Sequence, residues 1–190
     1  MGTTEFNIFD TFIAKWRLKK VIAHIEVGDT VLDFGCGSQA YLLNQIRSKI
    51  KKGIGLDYEI SNVNACENIF LQSFCFIDKM PFKCEFDKIT MLAVLEHIEL
   101  DIVDSIFSEF NRILKPGGEI LMTTPTPTGK ILLEFLAYKL KIISQHQIAD
   151  HKKYYGRRDV IEMAKRFGFL LKNYKTFQFG CNSFFIFKKM

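Results

Sequence analysis

Thr30-Val31-Leu32-Asp33-Phe34-Gly35-Cys36-Gly37-Ser38 is the stretch that decides the fold. A short β-rich run stops abruptly at Gly35-Cys36-Gly37, and a helical stretch over 40–50 follows. A strand that passes into a helix through Gly-x-Gly can turn sharply and bring its backbone against a ligand with no Cβ in the way. Ala40 stands in place of the third glycine of a dinucleotide fingerprint. The position between strand and helix therefore carries the signal, more than the glycines themselves.

Outward from this turn the alternation repeats. Upstream, apolar residues at near-helical intervals predict a helix over 10–25, with Asp10 or Thr11 as its cap. Downstream, 52–56 reads as a second strand ending at Asp57, 70–77 as a third ending near Asp78, and 86–92 as a fourth. An amphipathic helix over 101–114, a turn at Pro116-Gly117-Gly118 and a fifth strand over 119–124 come next. Strands alternating with helices imply a parallel sheet joined by right-handed crossovers. The end of the chain differs. After a helix around 159–167, the runs 169–177 and 182–187 meet at Gly180-Cys181-Asn182 and predict a hairpin, so one strand is antiparallel to its neighbour.

Two carboxylates fall at strand ends. Asp57 stands 22 residues after Gly35, where a carboxylate accepts hydrogen bonds from both hydroxyls of a ribose. Asp78 stands 21 residues further on, at an edge where a carboxylate accepts an exocyclic amino group and Ile77 or Lys79 offers a backbone N–H. The glycine turn and these two acids together point to an adenosine-containing ligand.

Composition narrows the class. At 190 residues, 48% hydrophobic and 25% charged, with no repeat or Pro/Gly-rich linker, the chain reads as one soluble domain, 1–190. Within it, 1–27 forms an N-terminal helical segment and 125–158 an insertion after the fifth strand. The net charge of +5 is mild, and the basic runs lack interleaved aromatics apart from Tyr154 and Tyr155, which argues against nucleic acid. Five cysteines with no C-x-x-C spacing fit reduced thiols in a cytoplasm and offer no zinc site, so no metal is expected. The N-terminus lacks a basic leader followed by an apolar core. The most apolar long segment, 131–143, is too short and too charged to span a bilayer, although it suits peripheral contact with a membrane or a partner. The 19 Phe residues suggest a ring-rich core, with room for an apolar substrate cavity.

Val31 to Ser38, Gly55-Leu56-Asp57, Phe86-Asp87-Lys88-Ile89, Leu95-Glu96-His97 and Arg112-Ile113-Leu114-Lys115-Pro116-Gly117-Gly118 resemble, in this order, the motifs of class I S-adenosylmethionine (SAM)-dependent methyltransferases. The likeness is to the type 11, quinone-biosynthesis-like group that methylates small molecules. It is strong over about 27–124 and looser elsewhere. It implies an α/β Rossmann-like three-layer sandwich, with a seven-stranded, mostly parallel sheet in the order 3-2-1-4-5-7-6 and strand 7 antiparallel. It further implies that Asp33 anchors the glycine loop or reaches the amino group of the methionine moiety through water. Gly35 and Gly37 would line the methionine and ribose portion, Asp57 would bind the ribose and Asp78 with Ile77 the adenine, with Cys36 and Tyr58 also among the cofactor-binding residues. Leu92, Ala93 and Val94 would flank the sulfonium, and Glu96 would touch the cofactor or orient His97.

Methyl transfer from a sulfonium is an in-line displacement in which the protein positions the acceptor and excludes water. A base assists when the acceptor is a hydroxyl or a protonated amine. His97 is the first candidate, and His146, His151 and Tyr154 in the polar stretch 144–158 are others. No Asn/Asp-Pro-Pro-aromatic tetrad or Pro-Cys pair follows the fourth strand, which disfavours base methylation in nucleic acid. A carboxylate set for Mg²⁺ is also lacking. A small-molecule or lipid-linked acceptor remains. The rival readings are a non-catalytic SAM-binding scaffold, an NAD-dependent oxidoreductase and an RNA methyltransferase.

Overall fold

The computed structural model describes residues 8–61, 63–76, 79–129 and 154–190. Its helices are α1 (Ile8–Ile22), α2 (Tyr41–Ile46), α3 (Leu100–Ile113) and α4 (Arg157–Arg166), with a 3₁₀ turn at Leu95–His97. Its strands are β1 (Thr30–Phe34), β2 (Lys52–Asp57), β3 (Val63–Cys66), β4 (Ile69–Ser73), β5 (Phe86–Leu92), β6 (Leu114–Pro125), β7 (Phe169–Phe177) and β8 (Asn182–Lys189). They form one sheet in the order β3-β4-β2-β1-β5-β6-β8-β7. The pairs β4·β2, β2·β1, β1·β5 and β5·β6 are parallel, whereas β8 runs antiparallel to both β6 and β7.

The expected order of seven strands is present, and the count is corrected to eight. Edge strand β3 pairs antiparallel with β4 through a register shift at Asn64/Cys66. Its four residues are too few to show an alternating pattern in sequence. The third parallel strand also ends at Ser73, four residues short of the expected end. A second correction concerns Pro116-Gly117-Gly118, which is a bulge inside β6. Phe86 pairs with Leu114 and Lys88 with Glu119, so Lys115 to Gly118 all lie opposite Asp87. Gly117 has φ +75°, and the Lys115 ammonium holds the Asp87 carboxylate at 2.8 and 2.9 Å. A bulge of this kind re-aims a strand without ending it.

Period-2 alternation along the central strands divides the core into two layers. Leu32, Phe34, Ile120, Met122, Phe185 and Phe187 face the side that carries α3 and α4. Val31, Leu121, Phe184 and Ile186 face the side that carries α1 and α2. Among the described residues nine phenylalanines are buried, so ring packing accounts for much of the aromatic content there. α3 buries Val103, Ile106, Phe107, Phe110 and Ile113, spaced as one helical face. Its end also ties down the approach to β5. Arg112 donates to the carbonyls of Met80 and Phe82 and to Glu109, which accepts the Met80 N–H at 2.7 Å. The Arg112 guanidinium holds the Glu109 carboxyl below the usual carboxylate range.

Ion pairs on the surface contribute little by comparison. Arg166 and Asp104 pair at 2.8 Å, with side chains 58% and 48% exposed. Exposed pairs of this kind are worth about 0.2–1 kcal/mol. Asp104→Ala is therefore expected to lower unfolding stability by less than about 1 kcal/mol in a denaturant titration. A larger loss would show that α3 and α4 depend on this contact more than on their apolar faces.

Candidate cofactor site

The C-terminal ends of β1, β2 and β5 meet where the crossovers diverge, the place at which open α/β sheets bind ligands. A cavity of about 500 Å³ opens there. Gly35, Leu56, Asp57 and Tyr58 line it from the first two strands, and Leu92, Ala93, Val94 and His97 from the fourth parallel strand and the turn after it. Phe74 and Phe76, past the end of β4, close one side, and Ile98, Ile102 and Ile106 form an apolar wall.

The glycine loop is built for close approach. Gly35 and Cys36 both donate their N–H to the Leu56 carbonyl, at 2.8 and 3.1 Å, which folds the loop back onto β2. Gly35 has φ +76°, and a Cβ there would lie 2.3 Å from Val94 Cγ2. Gly37 has φ +68°, and a Cβ there would meet nothing within 4 Å, so its requirement is conformational and the space above it stays open. Asp57 links loop and strand, since Oδ2 accepts the Gly37 N–H at 2.8 Å and Oδ1 the Glu59 N–H at 3.0 Å. Ala93 also occupies the left-handed region at φ +57°, and its N–H donates to the Thr123 carbonyl. A strained non-glycine residue on a cavity wall is a frequent mark of a functional site.

Asp33 and Glu96 lie behind this surface. Asp33 is 3% exposed and accepts the Thr90 hydroxyl at 2.6 Å. Burial pushes its carboxyl up to about 7 against the Thr90 bond, and the neighbouring charge of Asp57 adds to the rise. Glu96 is 1% exposed and accepts the Thr124 hydroxyl at 3.3 Å. Burial raises it too, opposed by its own backbone N–H and by the charges of Arg17 and His97. Burial also raises the Cys36 thiol well above its ordinary value, reinforced by Asp33 and Asp57, so this sulfur stays protonated and is a poor nucleophile.

The sequence-predicted residues thus separate into groups. Gly35, Asp57, Tyr58, Leu92, Ala93 and His97 share the cavity wall. Asp33, Cys36, Gly37 and Glu96 support it from behind or beside. Tyr154 is half-buried just before α4 and is not among the residues that line the cavity. Ile77, Asp78, His146 and His151 lie outside the described residues. Sequence reasoning passed over Phe74, Phe76, Glu59, Glu99 and the Ile98/Ile102/Ile106 wall. Ile102 and Ile106 had a readable signal, because residues four apart share one helical face, whereas Ile98 precedes α3 in extended backbone.

The cavity carries acidic side chains from Asp57, Glu59 and Glu99, and no Lys or Arg among the described residues that line it. Such a site favours a cationic or zwitterionic ligand over one bearing a pyrophosphate, whose charge would meet carboxylates in a partly enclosed space.

Together the fold and this site define a Rossmann-like α/β protein with a ligand cavity at its topological switch point. A family model described as a methyltransferase domain matches residues 10–172, and the chain belongs to that family. A Mesorhizobium loti S-adenosylmethionine-dependent methyltransferase is similar in structure, with TM-score 0.70 and 14% identity over 93% of this chain and 98% of that one. A SAM-dependent methyltransferase of Methanosarcina mazei gives TM-score 0.67 and 15% identity over 90% and 97%. YcgJ of Bacillus subtilis gives 0.67 and 15% over 92% and 98%. At such identities the likeness is one of fold. No curated protein sequence matches the chain.

Proposed function

We propose that this chain binds SAM in the acid-lined cavity and transfers its methyl group to a small-molecule or lipid-linked acceptor. The observation that carries the reading is the combination of Gly35, open space over Gly37 and Asp57 at the mouth of a cavity with acidic walls. A sulfonium ligand with an ammonium group and a ribose fits that set of donors and charges. The pyrophosphate of NAD would find no basic side chain among the described residues lining it.

When bound, the cofactor supplies an activated methyl group, and the protein's own work is positional. Asp57 accepts from the ribose hydroxyls while keeping the Gly37 loop in place. Leu92, Ala93 and Val94 shape the wall next to the reacting carbon. Ile98, Ile102 and Ile106 exclude water from the apolar side. His97 is positioned by its backbone N–H on the Val94 carbonyl at 3.0 Å and lines the same cavity, so it is the residue assigned to take a proton from an acceptor hydroxyl or amine. Ile77 and Asp78 at the adenine, and His146, His151 and Tyr154 at the acceptor, complete the proposed set.

Calorimetric titration with SAM, its demethylated product and NAD tests the reading. Binding of both SAM compounds and none of NAD is expected. Asp57→Ala should weaken that binding about thirty-fold, since hydrogen bonds to a charged acceptor contribute about 1.5–3 kcal/mol. Failure of a folded sample to bind either SAM compound, or preference for NAD, overturns it.

A further inference from the structure

The turn between β7 and β8 presents one aromatic ring to solvent in an unusual way. Phe179 is 97% exposed. Gln178, Phe179 and Gly180 have φ of 53°, 57° and 83°, so two residues with side chains hold a conformation that L-residues seldom adopt. The turn is nevertheless well anchored. The Thr126 N–H and hydroxyl donate to the carbonyls of Cys181 and Gly180, each at 2.8 Å. Asn182 Nδ2 donates to Gln178 Oε1 at 2.6 Å, with both residues buried. The ring is held outward by a fixed backbone.

The surface beside it is cationic. Residues 11–25 and 169–190 contain no Asp or Glu. These two segments pack together, with Lys20 Nζ 5.7 Å from the Phe177 ring centre and the His24 and Phe184 rings 5.5 Å apart. Lys175 pairs in register with Phe184, and directly opposed residues of an antiparallel pair share a face. Phe184 packs on the α1 side, so Lys175 belongs to the face of α1. Glu119 takes up Lys172 and Lys88. Among the described residues no carboxylate pairs with Lys15, Lys19, Lys20 or Lys175. Phe179 also lies at the end of the sheet where the cavity opens, since Pro125 at the end of β6 pairs with Asn182.

We infer that α1 and the β7–β8 turn form a docking face for an anionic lipid surface, with Phe179 entering the headgroup layer and the lysines meeting the lipid charge. Clustered lysines beside an exposed apolar ring bind anionic membranes in this way, by attraction to the lipid charge together with burial of the ring. Single-stranded nucleic acid, by contrast, is held by several aromatics stacked along a groove, whereas Phe179 projects from the tip of a turn, and the other exposed aromatic of this face, Trp16, stands on α1. The inference stands apart from the methyl-transfer reading and holds or fails whatever ligand fills the cavity.

Sedimentation of the full chain with phosphatidylcholine vesicles, with and without phosphatidylglycerol, tests it. Binding is expected only to the anionic vesicles and is weakened by added salt. Phe179→Ser should weaken it about ten-fold or more while Phe179→Leu retains it, as expected for burial of an apolar side chain. Removing Lys15, Lys19 and Lys175 as alanine substitutions should weaken it on the order of five-fold per lysine. All these variants should keep the unfolding temperature and the SAM affinity of the parent. The inference is overturned by any of four results: equal binding to both vesicle types, no binding, binding that survives Phe179→Ser and the lysine changes, or displacement of the vesicles by short RNA or by soluble glycerol phosphate.

Discussion

Gly35→Ala is expected to lower unfolding stability by about 2–5 kcal/mol and to abolish detectable cofactor binding. Two independent costs add. At φ +76° an L-residue gives up roughly 1–2 kcal/mol relative to glycine. The new methyl group would also lie 2.3 Å from Val94 Cγ2, 3.1 Å from Cγ1 and 3.3 Å from Cβ, so rotating the valine exchanges one clash for another. Overpacking of this kind costs roughly 1–3 kcal/mol. Val94 cannot retreat freely, because Ala93 before it is fixed at φ +57° with its N–H on the Thr123 carbonyl. Any shift of Val94 moves the wall beside which the methyl group would be placed. Adding Val94→Ala to Gly35→Ala separates the two costs. Denaturant titration should then recover the steric part and leave the conformational part, whereas full recovery would show that φ strain at Gly35 is negligible.

The glycine turn was legible because its requirement is local. Strand, left-handed glycine and helix follow one another within a few residues, and no distant partner is needed to recognise them. The five parallel strands and the closing hairpin were legible for a similar reason, since each is a short run rich in β-branched, aromatic or aliphatic residues bounded by turn residues. Strand β3 was not. Four residues at an edge gain their pairing from β4, and the sequence Val63-Asn64-Ala65-Cys66 has no face to declare. Pro116-Gly117-Gly118 reads as a break by composition, and only the position of Asp87 across the sheet makes it a bulge. In the site, Asp57 could be placed from its distance to Gly35, but its hydrogen bond to the Gly37 N–H belongs to the folded loop. Glu96 shows the limit most clearly. Its neighbour His97 reaches the cavity, while Glu96 turns inward to Thr124 of β6 and towards the charge of Arg17 on α1. One residue of offset in a 3₁₀ turn separates a wall residue from a buried support, and no spacing rule in the sequence resolves that.

Asp33 should make the unliganded protein less stable as pH rises from about 4 to about 7, the reverse of the usual behaviour of a native carboxylate. Its folded-state value is about 7, against 3.8 for an unperturbed carboxyl. Between these limits the folded form holds a proton that the unfolded chain has released, so stability is fully present below the lower value and is lost as pH climbs through the upper one. At about 1.36 kcal/mol per pH unit, the span corresponds to a loss on the order of 4 kcal/mol. The cause is physical and local, because a carboxyl 3% exposed with one hydroxyl donor cannot recover the hydration it gives up on ionising. Asp33→Asn keeps an oxygen for Thr90 and removes the titration. Its stability should lose the part of the pH dependence that Asp33 contributes, falling less over that range than the parent's, and exceed that of the parent at pH 8. A ligand ammonium reaching Asp33, directly or through water, would favour the ionised form. Binding of the demethylated product near pH 6.5 should therefore release protons, seen as different calorimetric heats in buffers of different ionisation enthalpy, and Asp33→Asn should release fewer. A parent protein whose stability rises from pH 4 to 7 by the same amount as Asp33→Asn would show that Asp33 is already ionised in the fold. The buried carboxylate would then have to draw on a donor other than Thr90.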